Sequence, residues 1–103
     1  MKAFKDYKGR SVRLTDERRK HILDHPEMKQ MTGSIGRTLA APQQVIQSIS
    51  DKEARLYYRY YLGTKVGGKY LCVVVKIFKN DAFVLTAYLT DTIKKGELIW
   101  LRK

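Results

Sequence analysis

The chain is short of several things. It has one cysteine, Cys72, and two prolines in 103 residues. A lone cysteine excludes an internal disulfide framework and a cysteine-based zinc site within one chain. No apolar run approaches the ~18 residues of a membrane-spanning helix. The first ten residues, MKAFKDYKGR, lack the apolar stretch of a secretory signal. No glycine loop suits a phosphate cradle, since Gly33 to Gly36 (GSIG) is too short for a P-loop. No cofactor motif is visible. Acids are scarce in one place above all: none occurs from residue 54 to residue 80. What is present is an apolar content of 44% against a formal charge of +11. That content supports a real core and argues against disorder. A single cytoplasmic domain with an anionic partner and no membrane attachment is the expectation.

The charge falls in two blocks. Residues 1–20 carry net +5 and residues 55–79 carry net +6, the latter from six bases and no acid. Between them lies a stretch of net −1. The first block reads either as a solvated basic arm over residues 1–12 or as part of a binding surface. The second lies within the strongest strand pattern of the chain, and clustered bases on one face are the electrostatic footprint of nucleic-acid binding.

Thr15 before Asp16-Glu17 predicts a helix from Asp16 to His25, ended by Pro26. Ile35 to Leu39 suits a short helical turn. Pro42 suits the first turn of a further helix through Val45, Ile46 and Ile49. Strand patterns follow at Ala54–Leu62, Lys69–Phe78, Ala82–Thr90 and Glu97–Leu101, with one more candidate around Ser11–Leu14. The predicted fold is α+β, with N-terminal helices packed on one face of a four-stranded antiparallel sheet.

Side chains alternate between the faces of a strand. Leu71, Val73, Val75 and Ile77 are predicted to share the helix-covered face with Leu56, Tyr58, Tyr60 and Leu62. Phe83, Leu85, Ala87 and Leu89 join them. The other face then carries Arg55, Tyr57, Arg59, Tyr61, Tyr70, Lys76, Thr86 and Tyr88. Such a surface either solvates the sheet or binds RNA, its cations neutralising phosphate and its rings stacking on bases.

His21 and His25 stand four apart on the first helix, with Arg18 nearby. Three readings compete. The pair could ligate zinc, although no HExxH pattern or third ligand accompanies it. His25 could be a helix-end residue bonded to backbone. Either could act in acid–base catalysis, since imidazole titrates near neutrality. RNA cleavage needs a base for the 2′-hydroxyl, an acid for the leaving 5′-oxygen and cations for the phosphorane. Asp51 is a further base candidate or a turn residue. Cys72 reads as a packing residue.

The segments LTDERRKHILDHPEM, IGRTLAAPQQVIQSISD, RLYYRYY, KYLCVVVK and FVLTAYLTDTIKKGE, in that order, resemble small nucleases. The group is the barnase–endonuclease-U–colicin–RelE-like superfamily, and the resemblance covers residues 13–97. It implies a barnase/RelE-like fold and a metal-independent endoribonuclease of toxin type. It also implies an antitoxin or immunity partner. The matching positions are His21, Arg59, Lys76, Thr86 and Tyr88. No Glu stands between Glu53 and Glu97, a departure from a barnase-like Glu/His pair. The expected site is His21 as acid or base, with His25 as a further candidate. Arg59 and Lys76 would bind phosphate, and Thr86 or Tyr88 would position it. Arg18, Arg55, Tyr57 and Tyr61 would hold flanking RNA. The ribosome is a candidate partner. A non-catalytic RNA- or ribosome-binding module using the same face is the alternative.

Overall fold

The structure is a computed structural model, and it describes residues 2–103. The chain opens with a hairpin, β1 (Lys2–Lys5) and β2 (Ser11–Leu14). Its turn is built on Asp6, whose carboxylate accepts the backbone N–H groups of Lys8 and Arg10 at 2.9 Å each. Gly9 supplies the positive φ (82°) that this turn requires. Helix α1 (Asp16–Leu23) begins where Thr15 accepts the backbone N–H of Arg18. It stops short of Pro26, which starts a single 3₁₀ turn, Pro26–Met28. Helix α2 (Thr32–Ala40) buries Ile35, Thr38 and Leu39, an i, i+3, i+4 stripe aimed at the core. Strands β3 (Gln44–Gln47), β4 (Ala54–Thr64), β5 (Gly67–Ile77), β6 (Ala82–Thr90) and β7 (Glu97–Leu101) follow.

All seven strands form one sheet, ordered β1-β2-β6-β5-β4-β3-β7. The β2–β6 junction is parallel and the others are antiparallel. This overturns the four-stranded antiparallel sheet with N-terminal helices packed on it. Two segments account for the difference. The N-terminal basic block is not a free arm but the β1–β2 hairpin, which extends the sheet beyond β6. The stretch after Pro42 is not a helix but β3. Its Val45 packs in the main core while Ile46 packs on the opposite face, the period of two that a strand requires. Pairing on both sides, with β4 and β7, supplies the ladder bonds that a short isolated helix would lack.

The main core lies between the helices and one sheet face. It gathers Val12, Ile22, Met28, Ile35, Leu39, Val45, Tyr57, Leu71, Val73, Val75, Val84 and Ala87. The other face is free of helices. A smaller cluster of Ile46, Leu56, Tyr58 and Cys72 is buried there. Over it folds the β6–β7 connection, with Ile93 packed on the cluster and the Lys94 N–H donating to the Tyr58 hydroxyl at 3.0 Å. Among the described residues, no helix is long and apolar enough to cross a membrane.

The register corrects the assignment of faces. Tyr57 stands opposite Val73, Arg59 opposite Leu71 and Arg55 opposite Val75. Arg55, Tyr57, Arg59 and Tyr61 therefore lie on the helix side, and Leu56, Tyr58 and Tyr60 on the open side. Alternation within β4 is as expected, but its alignment with β5 is reversed. A one-residue difference in register exchanges every side chain of a strand between faces. In β6 a bulge shifts the register between Val74 and Val75 of β5, which pair with Thr86 and Val84. Val84 and Ala82 consequently face the core, with Ala87, and Phe83 does not.

Candidate functional site

On the open face lies a pocket of ≈530 Å³. Its floor is apolar, from Ala54, Leu56, Val74 and Leu85. Its walls come from the β3–β4 loop (Ser48, Ile49, Ser50, Asp51), from β6 (Thr86, Tyr88) and from the β6–β7 loop (Lys94, Lys95).

The β3–β4 loop is tightly held. The Gln47 side-chain amide donates to the carbonyls of Asp51, Lys52 and Ala54, at 3.2, 2.9 and 2.9 Å. This fixes Asp51, whose Oδ1 accepts the Glu53 N–H at 2.9 Å. Its Oδ2 lies 2.5 Å from the Lys76 Nζ. The Lys76 contact and then the Glu53 N–H hold the Asp51 carboxyl below its ordinary range. Reciprocally, Asp51 holds the Lys76 ammonium above its ordinary range. Both groups are charged at neutral pH.

Lys94 and Lys95 bring two more cations to the rim. Neither has a carboxylate within ion-pair distance among the described residues. The Lys94 Nζ sits 5.9 Å from the centroid of the Tyr88 ring. The Tyr88 hydroxyl is buried without a well-formed hydrogen bond, beside Cys72 and Tyr58. Burial, then its Cys72 neighbour, pushes its pKa up, so it stays a neutral phenol. Burial also pushes the Cys72 thiol up to about 11, which makes it an inert packing residue. The pocket thus holds one carboxylate, already paired to an ammonium outside the lining, and two further cations, beside hydroxyls on an apolar floor. It is suited to an anion carrying an apolar or aromatic body.

The expected site residues divide three ways. Thr86 and Tyr88 line this pocket, and Lys76 is tied to it through its ion pair with Asp51. His21 and His25 do not. Both are exposed on the helical side, where α1 packs against β6. The His25 Nδ1 lies 3.9 Å from a Glu27 carboxylate oxygen. Arg18 sits in the first turn of the same helix. The four β4 residues have structural contacts on the helix side. The Tyr57 hydroxyl is buried and donates to Asp6 at 2.7 Å. The Arg59 guanidinium donates to the Ala41 carbonyl at 2.8 Å, and Tyr61 shares a 2.9 Å bond with the Thr38 hydroxyl. Arg55 lies close enough to act on the Tyr7 hydroxyl.

Sequence reasoning missed Ser48, Ser50, Lys94 and Lys95, because each stands in a loop whose fold across the sheet has no local signature. The one available signal was the Lys94-Lys95 pair itself. Among the described residues, no group of three or more His, Cys, Asp or Glu side chains is placed to hold a metal ion. No family profile, curated protein or solved structure matches the chain.

Proposed function

We propose that the chain cleaves single-stranded RNA, with the open-face pocket as its reaction site. The carrying observation is Asp51, which lines one pocket with Thr86, Lys94 and Lys95 and is ion-paired to Lys76. Of the five positions that the resemblance implies, Lys76, Thr86 and Tyr88 lie on this face of the sheet.

In this scheme the Asp51 carboxylate takes the proton of a ribose 2′-hydroxyl. The 2′-oxygen attacks phosphorus, and the bond from phosphorus to the 5′-oxygen breaks. The leaving 5′-oxygen takes a proton from the Lys76 ammonium. Proton return from Asp51 to Lys76 across their direct contact restores the pair. The products are a 2′,3′-cyclic phosphate and a 5′-hydroxyl. Lys94 and Lys95 offset charge on the phosphorane, and the Thr86 hydroxyl orients it. An acidic antitoxin that plugs this pocket would neutralise the enzyme.

A second reading is a non-catalytic RNA- or ribosome-binding module. It is favoured by the place of the histidines, on the opposite side of the sheet from Lys76. Incubating RNA with protein in chelator separates the two. Cleavage should fall about 10²–10³-fold in Lys76→Ala and comparably in Asp51→Asn, and hold in His21→Ala. Salt-sensitive binding with no cleavage by the wild type would establish the second reading instead.

A further inference from the structure

A second pocket, of ≈480 Å³, lies on the helix side near the β7 edge. It is lined by Tyr7 and Lys8 of the β1–β2 turn, by residues 40–42 at the end of α2, and by Trp100, Arg102 and Lys103. Three cationic side chains and two aromatic rings line it, and no acidic side chain does. The Asp6 carboxylate, next in sequence to Tyr7, is buried and already satisfied by Arg10, Tyr57 and two backbone N–H groups. Lys8, Arg102 and Lys103 have no carboxylate within ion-pair distance among the described residues. The rings of Tyr7 and Trp100 stand 4.7 Å apart, tilted by 38°, and Lys8 lies 5.9 Å from the Tyr7 centroid.

The sheet holds these rings in place. Trp100 pairs with Val45 and packs on the main core, so its ring is half-buried and cannot swing away. Rigid aromatic area ringed by unpaired cations is the chemistry of a single-stranded nucleic-acid subsite. A base stacks on the ring while ammonium and guanidinium groups take the flanking phosphates.

We infer that the Tyr7–Trp100 pocket is a nucleotide-binding subsite for single-stranded RNA, separate from the open-face pocket. Lys94 and Lys95 precede β7 with Gly96 between, and Arg102 and Lys103 immediately follow it. The five-residue strand between them spans roughly 17 Å, room for about five stacked nucleotides. One RNA chain therefore reaches both cation pairs by following the β7 edge. The inference rests on RNA as the ligand, not on cleavage.

Trp100 is the only tryptophan, so its fluorescence reports on this pocket alone. The probe is an oligouridylate of about eight nucleotides, titrated at low salt. A saturable quench is expected, and Lys8→Ala combined with Arg102→Ala and Lys103→Ala should weaken it about tenfold or more while leaving the fold intact. A base-free sugar–phosphate chain of the same length should bind without quenching. The inference is overturned if the oligonucleotide binds by anisotropy with no change at Trp100, or if it fails to bind. It is also overturned if the base-free chain quenches equally. Equal quenching by polyglutamate would overturn it too, and would assign the pocket to an acidic protein. Cleavage without a quench would sink this subsite alone. A quench without cleavage would sink the nuclease reading alone.

Discussion

The ammonium of Lys76 lies 2.5 Å from the carboxylate of Asp51, joining β5 to the β3–β4 loop. Each group shifts the other toward its charged form. Asp51 is held below the ordinary carboxylate range, so the charge persists as pH falls through that range. Lys76 is held above the ordinary ammonium range, so it persists as pH rises toward it. Neither group changes charge near neutrality. Cleavage should therefore be flat from about pH 5 to about pH 9. A pH–rate profile of the wild type checks this. A midpoint near 6.5 would assign the proton transfer to a histidine and remove it from this pair.

Lys94 and Lys95 make a separate, electrostatic prediction. Each phosphate neutralised on a single strand contributes about −0.7 to the slope of log affinity against log salt. Replacing both lysines with alanine should reduce the magnitude of that slope by about 1.4. Binding isotherms of a short oligoribonucleotide at several salt concentrations give the value. An unchanged slope would mean that the RNA does not pass over this rim.

Tyr57 acts on stability and not on RNA. Its buried hydroxyl donates to the Asp6 carboxylate, whose side chain is fully buried and also bonded to Arg10. Burial, and then the Asp6 contact, pushes the Tyr57 pKa well up, so the phenol remains a donor throughout the usable pH range. Tyr57→Phe removes one bond to a buried charge and should cost about 1.5–3 kcal/mol. Urea unfolding measures the loss. RNA binding by the folded variant should match the wild type.

These outcomes mark where sequence reading succeeds and where it stops. Local signals were legible. Thr15 and Pro26 bracket α1, Gly67 turns β4 into β5, and the apolar alternation of residues 71–77 identifies the central strand. Long-range relations were not. Each face of β4 carries two tyrosines, Tyr57 and Tyr61 on one and Tyr58 and Tyr60 on the other, so the aromatic content does not decide which face is buried. Only the pairing of Arg59 with Leu71, rather than with Tyr70 or Cys72, decides it. The same limit hid β3, whose four residues become a strand through partners on both sides. Lys76, Thr86 and Tyr88 were legible as one face because they lie on adjacent strands of a single meander. Asp51 joined them through a loop fixed by Gln47, a contact no periodicity encodes.

Arg59 provides the sharpest contrast between the two faces. Its guanidinium donates to the carbonyl of Ala41, just past the end of α2, where helix carbonyls lack partners and the helix dipole is negative. The neighbouring Thr38 and Tyr61 hydroxyls bond across the same helix–sheet contact. Arg59 thus anchors the C-terminal end of α2 to β4, on the side of the sheet away from Lys76. Because the side chain is partly solvated, Arg59→Ala should cost only about 1 kcal/mol, less than the ~1.5–3 kcal/mol of a buried charged hydrogen bond. Thermal unfolding should show a Tm lower by roughly 4–8 °C. Cleavage measured well below that Tm should stay within about twofold of the wild type, while Lys76→Ala loses it. A large loss of cleavage in a fully folded Arg59→Ala protein would place the reaction on the helix side, beside the histidines, and would move the site from one face of the sheet to the other.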